Sequence, residues 1–113
     1  MNLEHTQKLI KDFPGFFDEM ILPEFECGDG WFDLIYGLCS KIKEIYPGVK
    51  VVQVKEKFGG LRFYIEKAPA VIYDFIDDAE KESEEICEIC GKSGQICSHN
   101  NWLGVRCTKF VRE

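Results

Sequence analysis

The stretch from Val49 to Lys67, VKVVQVKEKFGGLRFYIEK, constrains the fold more than any other part of the chain. Two runs rich in β-branched and aromatic residues flank Gly59-Gly60, and two adjacent glycines supply the positive φ angles of a two-residue hairpin loop. Pairing about that loop sets Phe58 opposite Leu61, Lys57 opposite Arg62, Glu56 opposite Phe63, Lys55 opposite Tyr64 and Val54 opposite Ile65. Strand side chains alternate between faces, so the hairpin has two unlike surfaces. One carries Val52, Val54, Phe58, Leu61, Phe63 and Ile65, with Glu56 as its single polar residue, and is expected to be core. The other carries Gln53, Lys55, Lys57, Arg62, Tyr64 and Glu66 and is expected to be a basic-aromatic outer face.

Helical patterns surround this hairpin. Leu3, Leu9, Ile10 and Phe13 recur at helical spacing behind Asn2, a good N-cap, and Pro14 stops the pattern, which predicts a helix over residues 3–12. Phe16, Phe17, Met20, Ile21 and Leu22 form an apolar cluster before Pro23, expected as a helical turn on the core. Trp31, Leu34, Ile35, Leu38, Ile42 and Ile45 make the clearest helical stripe, closed by Pro47-Gly48 and opened by Asp29 in the position of an N-cap. Cys39 beside that stripe reads as a small core residue, while Cys27 has no clear role. After Ala68-Pro69, a helix start, Val71, Ile72, Phe75, Ile76, Ala79, Ser83 and Ile86 define an apolar face through residue 86. The fold class is therefore α+β: helices packed on a central hairpin, in one domain over residues 1–113, with 1–86 as core and 87–113 as a zinc-knuckle subregion.

Charge narrows the function. The 113 residues carry a net charge of -6, which disfavours general attraction to extended duplex DNA or an anionic membrane. The distribution is uneven. Residues 74–88 hold eight carboxylates and one lysine, whereas residues 49–67 hold five cations and two anions. Glu82, Glu84 and Glu85 oppose the dipole at a helix C-terminus, so Lys92, Arg106, Lys109 or Arg112 is expected to lie nearby. The first thirteen residues have neither a basic nor an apolar signal segment, and no apolar run reaches membrane-spanning length. The expected setting is cytoplasmic and reducing, where the six cysteines suit thiols and metal ligation better than disulfides.

Cys87-Glu88-Ile89-Cys90-Gly91 has the spacing at which two thiolates grip one zinc ion, and Cys97, His99 and Cys107 follow. A thioredoxin-type redox motif would open a helix after a strand, whereas this one closes a helix. The expected structural zinc is held by Cys87, Cys90, Cys107 and Cys97, with His99 as the alternative fourth ligand. Gln95–Ser98 and Trp102–Cys107 also look like a hairpin about His99-Asn100-Asn101. In a regular hairpin Cys97 lies opposite residue 104, some three residues or ~10 Å along the strand from Cys107. Ligands of one zinc have sulfurs only about 4 Å apart, with Zn–S near 2.3 Å. Regular pairing and joint ligation by Cys97 and Cys107 thus exclude each other. A water-filled fourth position has no obvious general base beside it.

Taken together, ECGDGW before a helix, VKEKFGGLRFY as a hairpin, an AE…S helix and the C-x-x-C-G…W…C tail resemble a family of small proteins encoded by phages, prophages and their bacterial hosts. The resemblance spans about residues 26–110. It implies a compact α+β unit with a C-terminal zinc knuckle, whose last metal-binding residue is replaced here by Phe110. It also implies a phage-type accessory protein acting in a bacterial cytoplasm, with antagonism of host defence as the expected role.

Three function classes follow. As a binding module, Lys55, Lys57 and Arg62 hold phosphate oxygens while Tyr64 stacks on a base, which suits an anionic nucleotide-like small molecule or a short nucleic-acid segment. An ordinary solvated sheet face has similar residues, and the convergence of three cations in an acidic chain favours a site. As an interaction protein, the carboxylates of residues 74–88 mimic a nucleic-acid backbone toward a host enzyme, against the plain reading of an exposed helix face. A small zinc-ribbon regulator of nucleic acid is a further alternative. As an enzyme, the chain has Glu56 as its best single candidate, a carboxylate on an apolar face, though such a residue more often reaches the sheet edge or pairs with a lysine or arginine. His5 and His99 belong to no triad or nuclease pattern, and Gly59-Gly60 leads into a strand rather than a phosphate-binding helix. Binding without catalysis is the favoured class.

Overall fold

The structure, a computed structural model, describes residues 1–20 and 25–91 and, as backbone strands, 95–99 and 102–106. The chain runs α1 (Leu3–Asp12), a short 3-10 turn (Asp29–Trp31), α2 (Phe32–Ile45), β1 (Val51–Lys57), β2 (Gly60–Ile65), α3 (Ala70–Ser83), β3 (Gln95–His99) and β4 (Trp102–Arg106). The α+β reading holds: β1 and β2 form one antiparallel hairpin, β3 and β4 a second, and α3 packs along β2 and against α2.

The first helix begins and ends where its sequence signals place it. Asn2 Oδ1 accepts from the His5 amide at 2.8 Å, and Phe13 closes the C-terminus before Pro14. Its buried side is narrower than the pattern suggests, because Leu9 is buried while Leu3 and Ile10 are exposed. Phe16, Phe17 and Met20 are buried in a run of turns, and the Phe16 carbonyl accepts from the Val51 amide at 2.8 Å, tying this segment to the start of β1. From the 3-10 turn the core takes Trp31, from α2 Ile35, Leu38, Cys39 and Ile42, and from α3 Ile72, Ile76 and Ala79; Ile45 is exposed. The third helix ends at Ser83, earlier than the apolar face through residue 86 suggests.

The central hairpin is paired one step away from the expected register. Lys57 pairs with Gly60, Glu56 with Leu61, Lys55 with Arg62, Val54 with Phe63 and Gln53 with Tyr64. The loop is therefore Phe58-Gly59, both at positive φ (53° and 85°), and not Gly59-Gly60. The tertiary partners explain the choice. Moving an antiparallel register by one residue per strand exchanges the inward and outward backbone groups. The observed register turns the Leu61 and Phe63 amides toward α3, where Ser83 Oγ accepts from Leu61 at 2.9 Å and Glu80 Oε2 from Phe63 at 3.0 Å. On the opposite edge, Glu26 donates to the Val54 carbonyl at 3.0 Å and accepts from the Glu56 amide at 2.9 Å, a parallel bridge beside β1. A phenylalanine at positive φ costs about 1–2 kcal/mol. Four edge hydrogen bonds at about 0.5–1.5 kcal/mol each outweigh it.

Two expected core residues move to the surface for related reasons. Phe58, in the turn, is 68% exposed. A bulge between Val51 and Gln53 turns Val52 outward and puts Val51 in the core with Val54, Leu61 and Phe63. The second hairpin is regular, with Cys97 opposite Gly104 as expected. Lys92, Lys109 and Arg112, and the side chain of Arg106, named as neighbours for the acidic end of α3, lie outside what is described. No helix among the described residues is long and apolar enough to cross a membrane.

Candidate functional site

Outer-face positions of β1 and β2 alternate as expected, because the register change preserves which residues share a face. Lys55 lies directly across from Arg62 and diagonally from Tyr64. Its Nζ stands 5.8 Å from the centroid of the Tyr64 ring, and Lys57 Nζ stands 5.5 Å from the Phe58 ring. Both are cation–π distances. Arg62 folds back along its own strand, Nη1 donating to the Leu61 carbonyl at 2.9 Å over Gly60. Among the described residues, none of Lys55, Lys57 and Arg62 forms an ion pair; the ion pairs there are His5–Asp29 and Lys8–Asp12. The four expected residues are therefore brought onto one surface, with Tyr64 partly covered by Lys55. Exposed Glu26 shares the register position of Lys55 at the edge and sets a negative boundary.

Glu56 is occupied by the turn. Its Oε2 accepts from the Gly59 amide at 2.8 Å, holding the loop from the apolar side. Its oddity in the alternating pattern therefore has a local structural cause.

The knuckle meets the ECGDGW loop, backbone against backbone. The Gly30 amide donates to the Glu88 carbonyl at 2.7 Å, and Trp31 Nε1 donates to the Ile86 carbonyl at 2.9 Å. A Cβ on Gly28 would stand 2.0 Å from Glu88 O, and one on Gly30 would stand 2.1 Å from Cys87 O. Only glycine fits at either position. The Cys87–Gly91 turn closes through the Gly91 amide and the Cys87 carbonyl at 2.9 Å, with Gly91 at φ 80°. Cys87 is buried and Cys90 exposed. Among the described residues, no group of three or more His, Cys, Asp or Glu side chains is arranged to hold a metal. Of the other expected ligands, Cys97 and His99 are described only as strand positions, and Cys107 lies outside the described residues.

Asp29 departs from the expected helix cap. Its carboxylate accepts from the Asn2 amide at 2.6 Å and from His5 Nδ1 at 3.1 Å, while the His5 ring stacks on Phe32 at 4.0 Å. The hydrogen bond from Asn2, with the one from His5, holds the Asp29 carboxyl below its ordinary range. His5, Asp29, Asp33 and Cys90 border an open cleft of about 350 Å³. No spacing pattern links His5 to Asp29, twenty-four residues apart, so the pair is invisible until α1 is docked. Cys27 is buried, and burial pushes its thiol up to about 12. It is a core residue, as is Cys39.

Comparison with protein-family models, curated proteins and solved structures finds no match.

Proposed function

We propose that the protein acts by binding an anionic, nucleotide-like ligand on the outer face of the β1–β2 hairpin. The observation that carries this reading is the set of three cations, Lys55, Lys57 and Arg62, on one surface of a chain of net charge -6 and without ion pairs among the described residues. Ammonium and guanidinium groups suit phosphate oxygens, and Tyr64 offers a ring for a base. Given the resemblance to phage-type accessory proteins, the ligand would be a nucleotide signal or cofactor of a bacterial host, sequestered as a means of antagonising defence. Isothermal titration with nucleoside mono- and triphosphates tests the reading. Lys55→Glu with Arg62→Glu should weaken binding at least about a hundredfold, since each charge-assisted hydrogen bond is worth about 1.5–3 kcal/mol. Unchanged binding by a folded double variant overturns it.

The knuckle is proposed to hold a structural zinc through Cys87 and Cys90, completed from Cys107 and Cys97 or His99. The closed turn and its tight fit against Gly28 and Gly30 support a site for rigidity rather than turnover. Regular pairing, Cys97 with Gly104 and His99 with Trp102, puts both about 10 Å or more along the ladder from the end of β4 that leads to Cys107, so either one joins Cys107 on one zinc only where the hairpin departs from this register. Native mass spectrometry of protein taken from cells should show one zinc per chain and a lower melting temperature after chelation. A metal-free, fully folded protein removes the zinc from the proposal.

A second reading has its own support. Between α2 and α3 a slot lined by Leu34, Leu38 and Phe75 also takes in Asp33, Asp78 and Glu82, with Lys41 as its one cation among the described residues. Such a slot suits a basic side chain of a partner protein. Asp78→Lys with Glu82→Lys would abolish that mode and leave nucleotide binding intact.

A further inference from the structure

Phe58 is the residue that packing does not explain. The register requires a positive φ at position 58, and the edge partners of the hairpin explain that requirement. They do not require phenylalanine. Asparagine and glycine are the residues that adopt this conformation readily in a two-residue turn, and a bulky ring there is a backbone outlier. Burial does not compensate, because the side chain is 68% exposed. Strain kept on an exposed aromatic points toward a use outside the fold.

Its neighbours indicate what the use is. Phe58 has the Lys57 ammonium over its ring, as Tyr64 has that of Lys55. The hairpin therefore carries the same ring-and-cation pair twice, once in the middle and once at the tip. Tyr64 pairs with Gln53, and the turn begins after Lys57, so at ~3.3 Å per residue the pairs stand ~13 Å apart. That separation exceeds what one nucleotide can bridge. Arg62 and Lys55, facing each other across the ladder, lie between the two rings.

We infer that the hairpin binds a short single strand of nucleic acid, with one base on Tyr64, a second on Phe58 and the intervening phosphates on Lys55, Arg62 and Lys57. This deepens the nucleotide-binding reading and rests on it. Stacking on a ring accepts any base, so the expected ligand class is an unpaired strand with little sequence preference. A duplex keeps its bases stacked on each other and offers neither ring a partner.

Fluorescence anisotropy with a 5′-labelled oligothymidylate about ten nucleotides long, set against thymidine monophosphate and a duplex of equal length, tests the inference. The wild type should bind the oligonucleotide roughly tenfold or more tightly than the monophosphate, the gain expected from one added stacked base. Phe58→Asn should lose that gain, keep monophosphate binding and melt no lower than the wild type, because Asn-Gly suits the turn better than Phe-Gly. Phe58→Trp should restore it. If Phe58→Asn binds the oligonucleotide as the wild type does, or the duplex competes equally, the two-ring inference is overturned while the nucleotide reading stands. If neither oligonucleotide nor monophosphate binds the wild type, both fall.

Discussion

Two turns of this molecule use glycine for opposite ends. At Gly28-Asp29-Gly30 the backbone runs into the Cys87–Gly91 knuckle so closely that any Cβ would overlap a carbonyl. At Phe58-Gly59 the position that glycine or asparagine would fill most cheaply holds a ring that is mostly exposed, with the Lys57 ammonium over it. The first turn is dictated by contact and the second is not. Residue choice that packing explains belongs to the fold, and residue choice that packing opposes is where binding should be sought.

The sharpest way to break this contrast is at Gly30. Gly30→Ala places a Cβ 2.1 Å from Cys87 O, with backbone rather than a flexible side chain in the way. A loss of about 3 kcal/mol is expected in urea unfolding. A wild-type midpoint would show that the two loops do not interlock. Next comes the edge of β2: Ser83→Ala leaves the buried Leu61 amide without its acceptor, at a cost of about 2 kcal/mol. Phe58→Asn reverses the sign, stabilising by about 1 kcal/mol through relief of the left-handed strain. The smallest effect concerns acid. The Asp29 carboxyl is depressed by hydrogen bonds from Asn2 and His5. Its contribution is therefore complete above the ordinary carboxylate range near 3.8 and is lost as pH falls through the lowered folded value. Asp29→Asn should flatten the stability profile in that acid window only, measured by thermal melts across pH.

Much of the fold is legible in the sequence where signals are local. Asn2 and Pro14 bound α1, the stripe from Trp31 to Ile42 places α2, and the glycines announce a hairpin. What local signals cannot supply is the register, because the deciding acceptors, Glu80 and Ser83, lie far along the chain from Phe63 and Leu61. Two glycines in a row point to a Gly59-Gly60 loop, yet Gly60 belongs to the strand, beneath the Arg62 guanidinium and close to Glu84. Glu26 as an edge partner of β1 and Asp29 as the anchor of α1 escape notice for the same reason. The outer-face residues are legible in the sequence because alternation survives a register change that keeps parity. Phe58 is not, since its exposure follows from the turn position alone.

Both edges of the hairpin are closed by segments distant in sequence, and this has a kinetic consequence. Leu61 waits for Ser83, 22 residues later, and Trp31 for Ile86, 55 residues later. A chain emerging from the ribosome thus presents β2 with bare amides until α3 has been synthesised, and Trp31 without its acceptor until residue 86 follows. Closure is a late, non-local step, of the kind that slows folding. The fluorescence of buried Trp31 should report it, rising or shifting only when the last third of the chain has arrived.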